Sequence, residues 1–135
     1  MRLPILLCLL GMLPTSAALA QECDRADESQ MGMNICANED YQAADAKLNK
    51  TYGEIMKRLS DDADGRKLLQ AAQRAWIAFR DAECDFSTAD SKDGSVYPML
   101  VSGCLVGLTE ARTEQLGGYL KCEEGDMNCP VEAAE

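Results

Sequence analysis

Histidine is absent from the 135-residue sequence. Without an imidazole the usual Ser-His and Cys-His nucleophile machinery cannot be assembled, and a structural zinc site loses its habitual nitrogen ligand. Cations are few: Lys and Arg number 13 against 23 Asp and Glu, a formal net charge of −10. Neutralising a phosphate backbone needs clustered Lys and Arg, so no nucleic-acid partner is expected, while the acidic balance favours solubility and basic partners. Beyond Leu13 nothing supplies the roughly eighteen uncharged apolar residues of a spanning helix, so a membrane-embedded protein is not expected. Valine and isoleucine are scarce, and no segment alternates apolar with polar residues long enough to argue for a sheet. Internal repeats and low-complexity tracts are also lacking.

At the N-terminus, Arg2 precedes an apolar run from Ile5 to Leu13, a break at Pro14, and Ala18-Leu19-Ala20. A basic start, a short apolar stretch and a small-x-small end read as a secretory signal peptide over 1–20, cleaved before Gln21. Export to the periplasm or the medium follows from that reading. The remaining 115 residues carry twelve basic and 23 acidic side chains, a formal charge of −11, and suit one domain. Gln21 and Glu22 intervene before Cys23 where a lipobox needs small residues, so no lipid anchor is expected.

Six cysteines lie beyond the leader: Cys23, Cys36, Cys84, Cys104, Cys122 and Cys129. In an exported chain an even number reads as disulfides. Six allow fifteen connectivities, and pairing of sequence neighbours is the expectation: Cys23–Cys36, Cys84–Cys104 and Cys122–Cys129. Structural zinc sites favour C-x-x-C pairs, and the closest spacing here is Cys122 to Cys129.

From Gln30 to Leu59 the residues Met33, Ala37, Tyr41, Ala44, Leu48, Tyr52, Ile55 and Leu59 recur at spacings of 3 or 4, one face of a long helix with Ser29 as its N-cap. After the acidic turn Ser60–Gly65, a second helix is predicted over 66–86, its stripe being Leu69, Ala72, Trp76, Phe79 and Glu83. A third begins near Pro98, a residue suited to a first helical turn, and runs through Leu105, Leu108, Arg112 and Leu116, with Gly117-Gly118 fraying its end. Gly103 and Gly107 share a face, which predicts close approach of another helix. The predicted fold is all-α, a small disulfide-braced bundle of three main helices, occupying 21–121 and followed by an acidic tail at 122–135.

Chemistry is harder to find than scaffold. Paired carboxylates can cleave glycosides, but an acidic chain makes such pairs by chance, and a hydrolase would need a carboxyl with a strongly raised pKa in a cleft. Neither acidic turn fits a calcium loop: before Gly65 the frame gives Ser60, Asp62 and Asp64 with Ala71 in the glutamate position, and before Gly94 it starts at Ala89. Within Gln73–Cys84, Trp76 and Phe79 read as core, and Arg80, one position off that face, is expected to reach Asp45 of the first helix.

Residues Gln30-x-x-Met33-Asn34-x-Cys36-Ala37, then Tyr41, Ala44-Asp45, Leu48-Asn49 and Tyr52 resemble the opening of the LprI-like lysozyme-inhibitor family. The later blocks agree: Leu68-Leu69-x-x-Ala72-Gln73-Arg74-Ala75-Trp76-Ile77, Phe79-Arg80-Asp81-x-x-Cys84, Gly94-Ser95, Cys104, and Leu108-Thr109-x-x-Arg112. The resemblance covers Cys23 to Leu116. It implies a small helical exported bacterial domain, some of whose relatives inhibit lysozyme. The residues themselves, with no histidine and with cysteines expected to be oxidised, point to a protein that is not an enzyme and has no cofactor or metal. Asp45, Asn49, Trp76, Arg80, Asp81 and Arg112 belong to the shared pattern, and a structural role is expected for them. The expected partner is a protein, such as a basic lysozyme, steered by charge. The contact element would be the Ser87–Tyr97 loop with Lys92, Asp93, Ser95 and Tyr97. The competing reading is an envelope interaction or scaffold domain without inhibitory activity.

Overall fold

The computed structural model describes residues 22–123 and 125–131; the leader reading falls outside them. Three helices, α1 Gln30–Arg58, α2 Ala63–Ser87 and α3 Tyr97–Tyr119, account for most of the chain, with one 3-10 turn at Ala89–Ser91 and no strand among the described residues. The all-α expectation holds.

Local chemistry sets the boundaries. The Ser29 hydroxyl accepts the Gly32 N–H at 3.0 Å, starting α1, and Lys57 and Arg58 sit in its last turn beside the negative end of the dipole. The Asp62 carboxylate accepts the Gly65 N–H at 2.9 Å, so α2 begins at Ala63, three residues ahead of the predicted start. Pro98 lies in the first turn of α3, as expected. That helix runs through Gly117-Gly118 to Tyr119 instead of fraying there.

The chain runs up, down and up. Asn34 Nδ2 donates to the Ser95 carbonyl at 3.0 Å at one end, and Arg58 Nη1 to the Leu120 carbonyl at 3.1 Å at the other, so α1 and α3 lie parallel. These two make most of the interhelix contacts. The apolar core gathers at one end of the bundle: Leu48, Ile55, Leu59, Leu116 and Val131, with Tyr52, Leu69, Trp76, Tyr119 and Leu120 against them. Val131 is only 2% exposed. The tail therefore contributes to the core, and its Cys122–Cys129 loop turns through Gly125 at φ 90°, a backbone region that favours glycine. Towards the opposite end the core thins, and two disulfides brace it: Cys23–Cys36 and Cys84–Cys104. The structure thus has the sequence-neighbour connectivity at all three pairs.

Two predicted faces are rotated. On α2 the buried residues are Gln73, Arg80 and Cys84, whereas Ala72, Phe79 and Glu83 of the predicted stripe are exposed. The inward face is turned by roughly 60°, with Leu69 and Trp76 common to both faces, because Cys84 must face Cys104 on α3 to be bridged. On α3 the buried positions are Ser102, Thr109, Arg112, Thr113 and Leu116. Gly103 and Gly107 are exposed, and a Cβ added at either meets nothing within 4 Å, so neither admits a neighbouring helix. They lie roughly 120–160° around α3 from Thr109 at 100° per residue.

The Thr109 hydroxyl carries a cost. It is buried, and its Oγ1 finds no hydrogen-bond partner among the described residues. The Thr113 hydroxyl, by contrast, donates to the Thr109 carbonyl at 2.8 Å. An unsatisfied buried polar atom costs about 1–3 kcal/mol. Thr109→Val, which keeps the shape and removes the orphan, is expected to raise the unfolding free energy by about 1 kcal/mol in urea denaturation.

Candidate functional site

At the end opposite the core, the start of α1, the end of α2 and the start of α3 meet. The connection between α2 and α3 is held at several points. The Thr88 hydroxyl donates to the Cys84 carbonyl at 2.7 Å, the Gly94 N–H to the Ser91 carbonyl at 2.8 Å, and Asn34 fixes the Ser95 carbonyl. Cys84–Cys104 closes a separation of 20 residues around it. Lys92, Asp93 and Ser95 are exposed on this loop, while Tyr97 is partly buried as the first residue of α3. The four sequence-nominated residues thus belong to one short ordered segment, three of them presented to solvent. Asn34, which ties the loop to α1, carried no sequence signal beyond its place in the family pattern.

Beside this loop runs a groove between α1 and α3 of about 510 Å³, floored by small side chains such as Ala37, Ala44 and Gly103 and flanked by Asp40, Lys47 and Glu110. It shares Ala37 and Asp40 with a second hollow of about 270 Å³ that includes Asp24, Arg25, Asp27 and Met99. Four carboxylates against two cations give the combined wall an acidic character. The Arg25 guanidinium grips Asp40 with Nη1 at 3.0 Å and Nη2 at 2.5 Å. That hydrogen bonding holds the Asp40 carboxyl below its ordinary pKa of 3.8. Hydrogen bonding from Ser29, whose N–H donates to Asp27 Oδ1 at 2.9 Å, does the same for Asp27.

Both groups have depressed folded-state pKa values, so the stability they lend is present above pH 3.8 and is lost as pH falls through the folded values. Acidification below about pH 4 is expected to release the 24–29 segment, tethered by Cys23–Cys36, before the bundle unfolds. Amide exchange at Ala26 and Ser29, followed by NMR against pH, checks this.

A second polar cluster lies within the bundle. Arg80 is buried and bonds Asp81 through Nε at 2.9 Å and Nη2 at 2.7 Å, with Asp45 Oδ1 at 3.8 Å from Nη1. Asn49 Nδ2 donates to Asp45 at 2.8 Å. The Arg80 guanidinium lies 5.6 Å from the Tyr41 ring and 5.2 Å from that of Trp76. Arg112 approaches Trp76 at 5.9 Å, its Nε donating to Gln73 at 3.1 Å and its Nη1 to Gln115 at 2.6 Å. Burial lowers the Arg112 pKa. All six residues of the shared pattern therefore converge on one ring and its neighbours, joined by Gln73 and Gln115, which sequence reasoning missed. Spacing could have found Gln73: it lies three before Trp76 and seven before Arg80. The cluster ties helices together, and every cation in it already has protein partners.

Among the described residues no group of three His, Cys, Asp or Glu side chains could hold a metal ion. No described helix is long and apolar enough to cross a membrane. The molecule is a three-helix domain braced by disulfides, with an ordered loop and an acidic flank at one end.

More specifically, the chain belongs to the family described as lysozyme inhibitor LprI, whose model matches residues 21–116. It is 41% identical over 133 residues to the uncharacterised protein R02472 of Rhizobium meliloti (strain 1021), covering 90% of this chain and 94% of that protein. It is 35% identical over 103 residues to the uncharacterised protein YecT of Escherichia coli (strain K12), covering 66% of this chain and 63% of that one. A crystal structure of a DUF1311-family protein from Pseudomonas putida KT2440 superposes with a TM-score of 0.62 at 26% identity, covering 67% of this chain and 93% of that chain.

Proposed function

We propose that this protein is an exported, non-enzymatic inhibitor of lysozyme-type muramidases, periplasmic or secreted after cleavage before Gln21. The observation that carries the reading is membership of a family named for lysozyme inhibition across residues 21–116. The geometry supports it with a loop ordered before binding, so less entropy is lost when it docks. Lys92, Asp93 and Ser95 stand at its surface. An ammonium at Lys92 suits the pair of carboxylates with which glycoside-cleaving enzymes work, through charge-assisted hydrogen bonds. Ser95 and Asp93 offer further polar contacts to the sugar subsites, as does Tyr97, whose backbone N–H donates to the Gly94 carbonyl at 3.1 Å. The acidic groove wall and the charge of −11 would steer a basic enzyme toward this end, raising the association rate at low salt.

The test is a cell-wall lysis assay with the purified chain and a panel of lysozymes. Inhibition near molar equivalence is expected, weakened about tenfold by Lys92→Ala and more strongly at high salt. Full lysis at large molar excess across the panel would remove the reading. A bound endogenous protein recovered from envelope extract would then favour the scaffold alternative.

A further inference from the structure

We propose that the outward face of α2 is the seam of an antiparallel homodimer. Leu68, Ala72, Ala75, Phe79, Ala82 and Phe86 follow one another at spacings of 4, 3, 4, 3 and 4, the repeat of a coiled-coil seam. All six are exposed, and the large ones heavily: Leu68 72%, Phe79 54% and Phe86 79%. They lie across the helix from Gln73, Arg80 and Cys84, which face the rest of the bundle. No described residue covers this stripe.

What fits it is a second copy of itself. An antiparallel alignment centred on Ile77 sets Leu68 against Phe86 of the second copy, Ala72 against Ala82, and Ala75 against Phe79. Large side chains thus meet apolar partners, and the alanines allow close approach of the two axes. Charge selects the same alignment. Lys67 and Arg74 occupy the first half of α2, and Asp81 and Asp85 the second, all four on one flank of the stripe at 100° per residue. Antiparallel pairing brings Lys67 within two positions of the register mate of Asp85, and Arg74 within one of that of Asp81. Parallel pairing would instead set that flank against the opposite one, which carries Leu69, Trp76 and Glu83, and would leave the four charges without these partners. A helix of 25 residues is about 37 Å long, so the seam falls at the small end of specific interfaces and the dimer is weak, with a Kd on the order of 10 μM. The inference is independent of lysozyme inhibition.

Sedimentation equilibrium of the chain from Gln21 onward tests it. The expected result is a rise with concentration from monomer to twice that mass. Phe79→Glu, at an exposed position, should raise the Kd at least about tenfold and leave the helical circular-dichroism signal and melting temperature of the dilute monomer unchanged. Lys67→Glu and Asp85→Lys should each weaken association, and the double variant should restore it, which only antiparallel pairing allows. Monomer mass up to about 1 mM, a dimer indifferent to Phe79→Glu, or a double variant weaker than both singles would each overturn the proposal.

Discussion

Trp76→Ala is expected to be the most damaging single substitution, lowering the unfolding free energy by about 4 kcal/mol and the melting temperature by roughly 15 °C. The indole packs against the apolar core on one side and underlies two buried guanidinium groups, Arg80 at 5.2 Å and Arg112 at 5.9 Å. Neither cation has a buried carboxylate to balance it. Asp81 and Asp45 keep 56% and 39% of their side chains exposed, and the partners of Arg112 are the amides of Gln73 and Gln115. The ring's negative face is therefore a large part of what compensates each buried charge. Alanine removes it and opens a space that water can reach. Trp76→Phe keeps an aromatic face and should cost about half as much. Arg80→Met should cost only about 1 kcal/mol, because the stem still packs and the abandoned carboxylates already face water. Chemical denaturation of the three variants checks the ranking. If Arg80→Met proved as harmful as Trp76→Ala, the charge and not the ring would be holding the helices.

The gross architecture was legible because its signals were long and redundant. The α1 stripe from Met33 to Leu59 repeats over seven intervals, and an error at one position is corrected by the next. The sequence pattern misplaces three of the five inward positions of α2 by one residue, because the core-facing side is polar and Gln73 and Arg80 do not look like core. Hydropathy favoured the stripe containing Phe79, which the fold leaves in solvent. The clue lay in the expected Cys84–Cys104 bridge. A bridged cysteine must face its partner helix, and counting back from Cys84 by 4, 4, 3 and 4 gives Arg80, Trp76, Gln73 and Leu69.

The site was legible in kind and less so in extent. A loop between cysteines twenty apart announces itself in any exported chain. The groove beside it does not, because Asp40, Lys47 and Glu110 are brought together only by the parallel packing of α1 and α3. Parallel orientation of the first and third helices follows from the short turn at Leu59–Asp62 and the compact 88–96 connection. The rotational setting that puts Gly103 on the groove and buries Thr109 depends on packing that no local pattern encodes.

Removing the central bridge by Cys84→Ala with Cys104→Ala is expected to cost about 3 kcal/mol of stability, seen as a melting temperature lower by some 10–15 °C. The chain-entropy argument depends only weakly on loop length, so separations of 20, 13 and 7 residues would by themselves give similar losses. Position breaks the tie. Cys84 is 1% exposed and lies at the end of the bundle remote from Leu48, Ile55 and Leu116, where little else holds α2 against α3. Cys23–Cys36 anchors a segment that Arg25–Asp40 also ties, and Cys122–Cys129 closes a loop next to Val131, itself secured in the core. Their double-alanine variants should therefore lose less than the Cys84–Cys104 variant. The bridge also orders the 88–97 loop, so its loss should weaken lysozyme inhibition beyond any effect of global unfolding. Measuring inhibition well below the new melting temperature separates the two effects: a fully folded variant with unchanged potency would mean that the loop is not the element that enters the enzyme.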